Sequence, residues 1–393
     1  MPYCNISGEE STSKNGTRIF YRTYGNGPIK ILLIIGLAGT HDSWGPQIKR
    51  FAGTDIPNDE KSTVDDAGLC NGSVEVCAFD NRGMGRSSVP TKKSEYTTTI
   101  MAKDTIALIN YLGWKKAHVF GHSMGGMIAC KLAALVPDRI LSLALLNVTG
   151  GGFQCLPKLD RLTLSVAVRF LLAKTPEERA AVDLDTHYSQ DYLAECVGQR
   201  TRRSILYQEY VKGISKTGMQ SNHGFEGQIN ACWTHKVTKT DIERIRSAGI
   251  LISVIHGRHD IIAQISHAKR LAEKLHPFAR MVDLHGGHLV SHERTNEVNE
   301  ALLDLIKASE CKTNLNEWTN LPDKKSSDWI RQMMILSTTT SAARSSLSSM
   351  NRVFEKLNGF LIYLFGVFLV VYEYVRRVVG RFKPVRIGSS LTT

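Results

Sequence analysis

The chain has 393 residues, 42% of them hydrophobic and 22% charged, the make-up of a globular protein with a full-sized core. Its formal net charge is +12, but twelve Lys and Arg against five Asp and Glu lie from residue 311 onward, which leaves +5 for the first 310 residues. The basic excess thus belongs mainly to the C-terminal extension. With no recognition helix, aromatic RNA-binding strand or zinc finger in the main body, nucleic acid is set aside as a partner.

In chain order, the first twenty residues hold no apolar h-region, so no secretory signal peptide is expected. The eight cysteines (4, 70, 77, 130, 155, 196, 232 and 311) are scattered and never spaced CxxC, which predicts reduced thiols facing the cytosol. The sequons at Asn5, Asn15, Asn71 and Asn147 are then expected to be unmodified. Residues 30–35 (KILLII) and 74–79 (VEVCAF) read as buried strands. Residues 97–112 show helical periodicity through Ile100, Ile106, Ile109 and Leu112, closed by Gly113. A strand at 117–120, a helix at 124–135 stopping before Pro137 and a strand at 140–146 follow. This alternation predicts an α/β fold with helices on both faces of a sheet.

After Gly150-Gly151-Gly152 the rhythm changes. Residues 153–240 carry amphipathic helical stretches and no convincing strand, including the helix start Thr175-Pro176-Glu177-Glu178. Strands resume at 250–256 and 280–284, and a helix follows near 298–308. The expected division is a core in two parts, 1–152 and 241–310, around a helical lid at 153–240. A polar Ser/Thr-rich linker at 311–356, an apolar segment at 357–375 and a basic tail at 376–393 complete the chain.

Gly121-His122-Ser123-Met124-Gly125 matches GxSxG between a strand and an apolar helix, the setting of a nucleophile elbow. The turn is sharp, so the positions two before and two after the serine must lack bulk. A serine needs a base, and the base an orienting acid. Asp260 follows the 250–256 strand and His288 follows the 280–284 strand, in the chain order Ser, Asp, His. His256, His259, His285 and His292 compete for the base, with His292 the strongest rival; Asp241 and Asp283 compete less well for the acid. The oxyanion hole needs two backbone N–H donors, assigned to Met124 and to Leu37 in the loop after the first strand.

The segments GLAGTHDSWGPQI, AFDNRGMGRSS, FGHSMGGMIACKLAALVPDRI, HGRHD and HGGHLV together resemble the α/β-hydrolase superfamily over residues 16–310 apart from the lid. The resemblance implies a mostly parallel central sheet flanked by helices, an inserted helical lid, and a loop facing the active site shaped by Asp80, Arg82 and Gly83. Many relatives have His-Gly at the oxyanion loop where Ile35-Gly36 stand here; the backbone donor survives that change. Epoxide hydrolases and haloalkane dehalogenases of this superfamily use an Asp where Ser123 stands. His288 is followed five places later by Glu293, so an HxxxxD acyltransferase pattern is missing. With no HExxH, zinc-spaced cysteine set or Walker loop, neither metal nor cofactor is expected.

These residues predict hydrolysis of an ester, thioester or amide through an acyl-Ser123, on a small-molecule or lipid substrate. Cleavage of a C–C bond or lactone would use the same triad, and a slow-turnover ligand receptor is a different use of the same fold. Residues 357–372 carry no charge, and with 373–375 the run approaches the ~20 residues of a spanning helix. The positive-inside rule would put the basic tail in the cytosol. The missing signal peptide favours the reverse, a C-terminal anchor with the catalytic domain facing the cytosol. Protein partners are not readable.

Overall fold

The structure is a computed structural model that describes residues 2–6, 16–60, 73–158 and 160–322. Its elements run β1 Tyr3–Ile6, β2 Thr17–Gly25, β3 Ile29–Ile34, α1 Gly45–Ala52, β4 Val74–Phe79, α2 Thr98–Tyr111, β5 Ala117–His122, α3 Met124–Leu135 and β6 Ile140–Leu146. An insert follows: α4 Arg161–Leu172, α5 Pro176–His187, α6 Gln190–Ala194, β7 Cys196–Val197, β8 Arg200–Thr201, α7 Arg202–Thr217 and α8 Asn222–Thr234. The chain then returns through α9 Lys239–Ser247, β9 Leu251–Gly257, α10 Ile265–Leu275, β10 Ala279–Leu284, α11 Val290–Glu293, α12 Thr295–Glu310 and α13 Leu315–Trp318.

Eight strands form one sheet in the order β1-β2-β4-β3-β5-β6-β9-β10. β2 runs antiparallel to β1 and β4, and every other neighbour is parallel. A parallel strand is covered on both faces, which is why β3 reads as an unbroken apolar run. Alternation sends Leu32 and Ile34 to one core with Met101, Leu108, Met127 and Leu271, and Ile31 and Leu33 to the other with Ile48, Val298 and Leu302. Helices α2, α3 and α10 thus cover one face, and α1 and α12 the other.

The insert relies more on local signals. Asp160, Thr175, Ser189, Thr201 and Ser221 each cap the helix that follows by accepting a backbone N–H, worth about 1 kcal/mol apiece. It also holds the two-stranded β7–β8 ribbon, against the expectation of helices alone. With two exposed residues per strand, the ribbon has no apolar alternation to betray it.

The folded body runs past the expected linker start at 311. Trp318 is buried, its indole N–H donating to the Ile252 and Phe278 carbonyls, and Asn320 bonds the Met281 backbone in both directions. One aromatic ring fixes a segment whose composition is otherwise that of a linker. The remainder of the linker, the apolar segment 357–375 and the basic tail lie outside the described residues. Among the described residues no helix is long and apolar enough to cross a membrane.

Candidate active site

The parallel strands all point their carboxyl ends to one edge of the sheet, and the loops there carry polar groups in turn. Leu37 follows β3, Ser123 follows β5, Asn147 follows β6, Asp260 follows β9 and His288 follows β10. Crevices at this edge are where such sheets bind ligands.

Ser123 stands alone between β5 and α3 with φ 54° and ψ −120°, a conformation costing a non-glycine residue about 1–3 kcal/mol. Its surroundings enforce that turn. The Ser123 N–H donates to the Leu146 carbonyl at 2.8 Å, and its own carbonyl receives the Gly126 and Met127 N–H groups at 2.9 and 3.2 Å. The helix starts so close to the sheet that a Cβ on Gly125 would lie 2.0 Å from the Ile34 carbonyl oxygen, and one on Gly121 2.4 Å from that of Gly125. The steric demand read from GxSxG is therefore a contact of backbone with backbone.

The three separated residues converge. Ser123 Oγ lies 3.1 Å from His288 Nε2, and His288 Nδ1 lies 2.7 Å from Asp260 Oδ2. Asp260 Oδ2 also accepts from Asn147 Nδ2 at 2.7 Å, while Oδ1 accepts the Ile262 and Ala263 N–H groups, both at 2.8 Å. Burial alone would raise this carboxyl's pKa. The adjacent His288, with the hydrogen bonds it and Asn147 give, outweighs that and holds the group near about 2. Asp260 is thus an anion whose four donors fix its plane, and it fixes the plane of His288 in turn.

The rival residues are occupied elsewhere. His256 Nε2 donates to the Ala263 carbonyl and His292 Nε2 to that of Ser43, His259 and His285 stack edge to face on the surface, Asp283 pairs with Arg258 and Lys269, and Asp241 with Lys131.

The loop after β3 passes against the serine: a Cβ on Gly36 would sit 2.9 Å from Ser123 Cβ. The Leu37 and Met124 N–H groups donate to no acceptor among the described residues, so both are free to bind a developing oxyanion. The loop's support comes from residues the sequence did not flag. Asn81 Nδ2 donates to the Ile35 carbonyl at 2.7 Å. Gln228, fully buried on α8, accepts the Ala38 N–H at 2.9 Å and donates to the Arg82 carbonyl at 2.9 Å. These amides brace the loop on either side of Leu37 although Ile35 contributes no polar side chain. No local spacing betrays Gln228, which is 190 positions from its partner.

The loop after β4 is a scaffold. Asp80 takes the backbone N–H and Nδ1 of His41, both at 2.8 Å, and Arg82 is clamped by both oxygens of the buried Asp104 at 2.6 Å. Gly83 carries φ 85° and lies against Gly224 of α8. No group of three or more His, Cys, Asp or Glu among the described residues is arranged to hold a metal ion.

His122, the elbow residue before the serine, is buried, and its Nε2 donates to the His288 carbonyl at 2.8 Å. Burial, then the neighbouring His288, push its pKa down to about 3; burial, then Lys131, do the same to His235, also to about 3. An unfolded chain takes up these protons near pH 6.5, whereas the folded chain resists them to about 3. Stability is therefore expected to fall as pH drops from about 6.5, each group contributing about 1.4 kcal/mol per pH unit. The stabilisation from Asp260, whose pKa is depressed, is lost below that, between about 4 and about 2. Urea midpoints measured from pH 7.5 to 4.5 check this, and a midpoint independent of pH would refute it. His235→Asn should flatten the slope.

A sheet of this order, with a serine, a histidine and an aspartate meeting at its carboxyl edge, has the layout of an α/β-hydrolase. A family model described as "alpha/beta hydrolase fold" matches residues 30–295, and the chain belongs to that family, whose members are hydrolases. It is 30% identical over 286 residues to a "Putative carbamate hydrolase RutD" of Azorhizobium caulinodans, covering 72% of this chain and 93% of that one. It is 25% identical over 289 residues to the "Dihydrolipoyllysine-residue acetyltransferase component of acetoin cleaving system" of Cupriavidus necator, covering 73% of this chain and 66% of that one. Among solved structures, the enol-lactonase from Burkholderia xenovorans LB400 superposes with a TM-score of 0.57 at 21% identity, covering 78% of this chain and all of that one. That likeness concerns the fold.

Proposed function

We propose that this chain is a serine hydrolase cleaving an ester, thioester or amide bond through an acyl-Ser123 intermediate. The observation that carries the reading is the Ser123–His288–Asp260 relay, 3.1 and 2.7 Å long, built on a strained elbow. In this reading His288 Nε2 takes the Ser123 proton as Oγ attacks the carbonyl carbon. Asp260 stabilises the imidazolium, and the Leu37 and Met124 N–H groups receive the oxyanion. His288 returns the proton to the leaving group, and water, activated the same way, releases the acyl group.

A fluorophosphonate probe should leave its adduct on the peptide containing Ser123, and an adduct found elsewhere would sink the mechanism. Turnover should then be sought across small esters, lipid esters, lactones and carbamates, the last suggested by the Azorhizobium relative. In the same reading the insert selects the substrate, and the apolar run 357–375 holds the enzyme to a membrane with the catalytic domain in the cytosol. Co-flotation of the full chain with phosphatidylcholine vesicles, lost on ending the chain at residue 322, is the expected result; a full chain that stays unbound would refute the anchor.

A further inference from the structure

His288 sits on a loop whose backbone is held from several sides. The Gly287 carbonyl accepts from Asn147 Nδ2 at 3.2 Å and the His288 carbonyl from His122 Nε2 at 2.8 Å, and both donors belong to the sheet edge. The N–H groups on either side of His288 are held differently. Gly287 donates to Glu293 Oε2 at 2.8 Å, and Leu289 donates to the His187 carbonyl at 2.8 Å. His187 is the last residue of α5, in the insert.

Glu293 ties the first of these to the insert as well. It is buried, at 9% exposure. Its carboxylate accepts three hydrogen bonds: from the Gly287 N–H, from the Ser189 N–H at 3.0 Å, and from the Ser189 hydroxyl. Ser189 is the cap of α6, two residues beyond His187. One short stretch of the insert, residues 187–189, therefore grips the loop on both sides of His288. A buried carboxylate is costly unless its lone pairs are filled, and here the insert supplies two of the three donors.

We propose that Glu293 is a positioning residue for His288, and that the α5–α6 junction must be seated on it for the base to stand in line with Ser123. The insert and the base then form one unit: displacing residues 187–189 strips Glu293 of two donors and frees Leu289, so the imidazole loses its alignment. The inference deepens the proposed hydrolase mechanism and rests on His288 being its base.

The test compares full-length wild type with Glu293→Ala and Ser189→Ala. In Glu293→Ala the Gly287 and Ser189 N–H groups lose their shared acceptor, the loop shifts, and kcat should fall on the order of 10²-fold with KM little changed. Ser189→Ala keeps the carboxylate and the Gly287 bond, and should give a smaller fall in kcat in the same direction. The direct readout is the downfield proton resonance of His288 Nδ1, bonded to Asp260, which should move in both variants. Wild-type kcat with an unmoved resonance would overturn the proposal, and so would a lowered kcat with an unmoved resonance, since the effect would then bypass His288. If Glu293→Ala does not fold, Ser189→Ala decides by the same criteria. The resonance reports on the histidine whether or not Ser123 is the nucleophile. A probe adduct away from Ser123 would therefore defeat the hydrolase reading separately from this one.

Discussion

Replacing Ser123 by Ala is expected to abolish the fluorophosphonate adduct and to lower kcat about 10⁶-fold. The side chain that remains can offer no oxygen to His288 Nε2. The His288–Asp260 bond, the Leu37 and Met124 donors and the elbow backbone do not depend on the hydroxyl, so a remnant of catalysis about 10³–10⁴ above water should persist. Alanine accepts φ 54° about as badly as serine does, and the variant loses a single part-buried hydrogen bond, so its thermal midpoint should stay near that of wild type. A folded Ser123→Ala enzyme that turns substrate over at the wild-type rate would end the acyl-serine mechanism.

Asp260→Asn should cost about 10⁴-fold in kcat at neutral pH, although the two side chains have the same shape. Asp260 receives four donors: the Ile262 and Ala263 N–H groups on one oxygen, His288 Nδ1 and Asn147 Nδ2 on the other. An amide has one acceptor oxygen. If that oxygen keeps the two backbone bonds, the amide N–H₂ faces Asn147 and His288, and the imidazole can meet it only with an unprotonated Nδ1. The proton then sits on Nε2, where it cannot accept one from Ser123. Steady-state kinetics on any ester the enzyme accepts will read this, and an Asp260→Asn variant with near wild-type kcat would mean that Asp260 does not orient the base.

Much of this geometry can be read from the chain because it depends on local rules. Strands, elbow glycines and loop ends follow one another within a few residues, so Ser123, Asp260 and His288 announce themselves by what precedes them. Asn147, Gln228 and Glu293 do not. Each is a polar residue of common type whose partner lies far along the chain or in a loop whose path only the fold decides, up to 190 positions away for Gln228. The antiparallel strands β1 and β2 also escape such rules, since β1 is four residues long and β2 (TRIFYRTYG) mixes arginines and tyrosines into its alternation. The body ends later than its composition predicts for a related reason: the segment around Trp318 is polar, and the burial of one ring outweighs that.

Helix α8 touches the loop after β4 with no side chain between them: a Cβ on Gly224 would lie 2.0 Å from the Gly83 carbonyl oxygen. One added carbon there is as disruptive as one at the elbow. Helix α4 is the opposite case, presenting Leu162, Leu164, Val168 and Leu172 to solvent at half exposure or more. Descendants of this template can thus rewrite α4 at little cost to the fold, whereas α8 inherits the mutational intolerance of the sheet. Laboratory evolution aimed at new substrates would do best to leave Gly224 and Gln228 untouched and draw its diversity from α4.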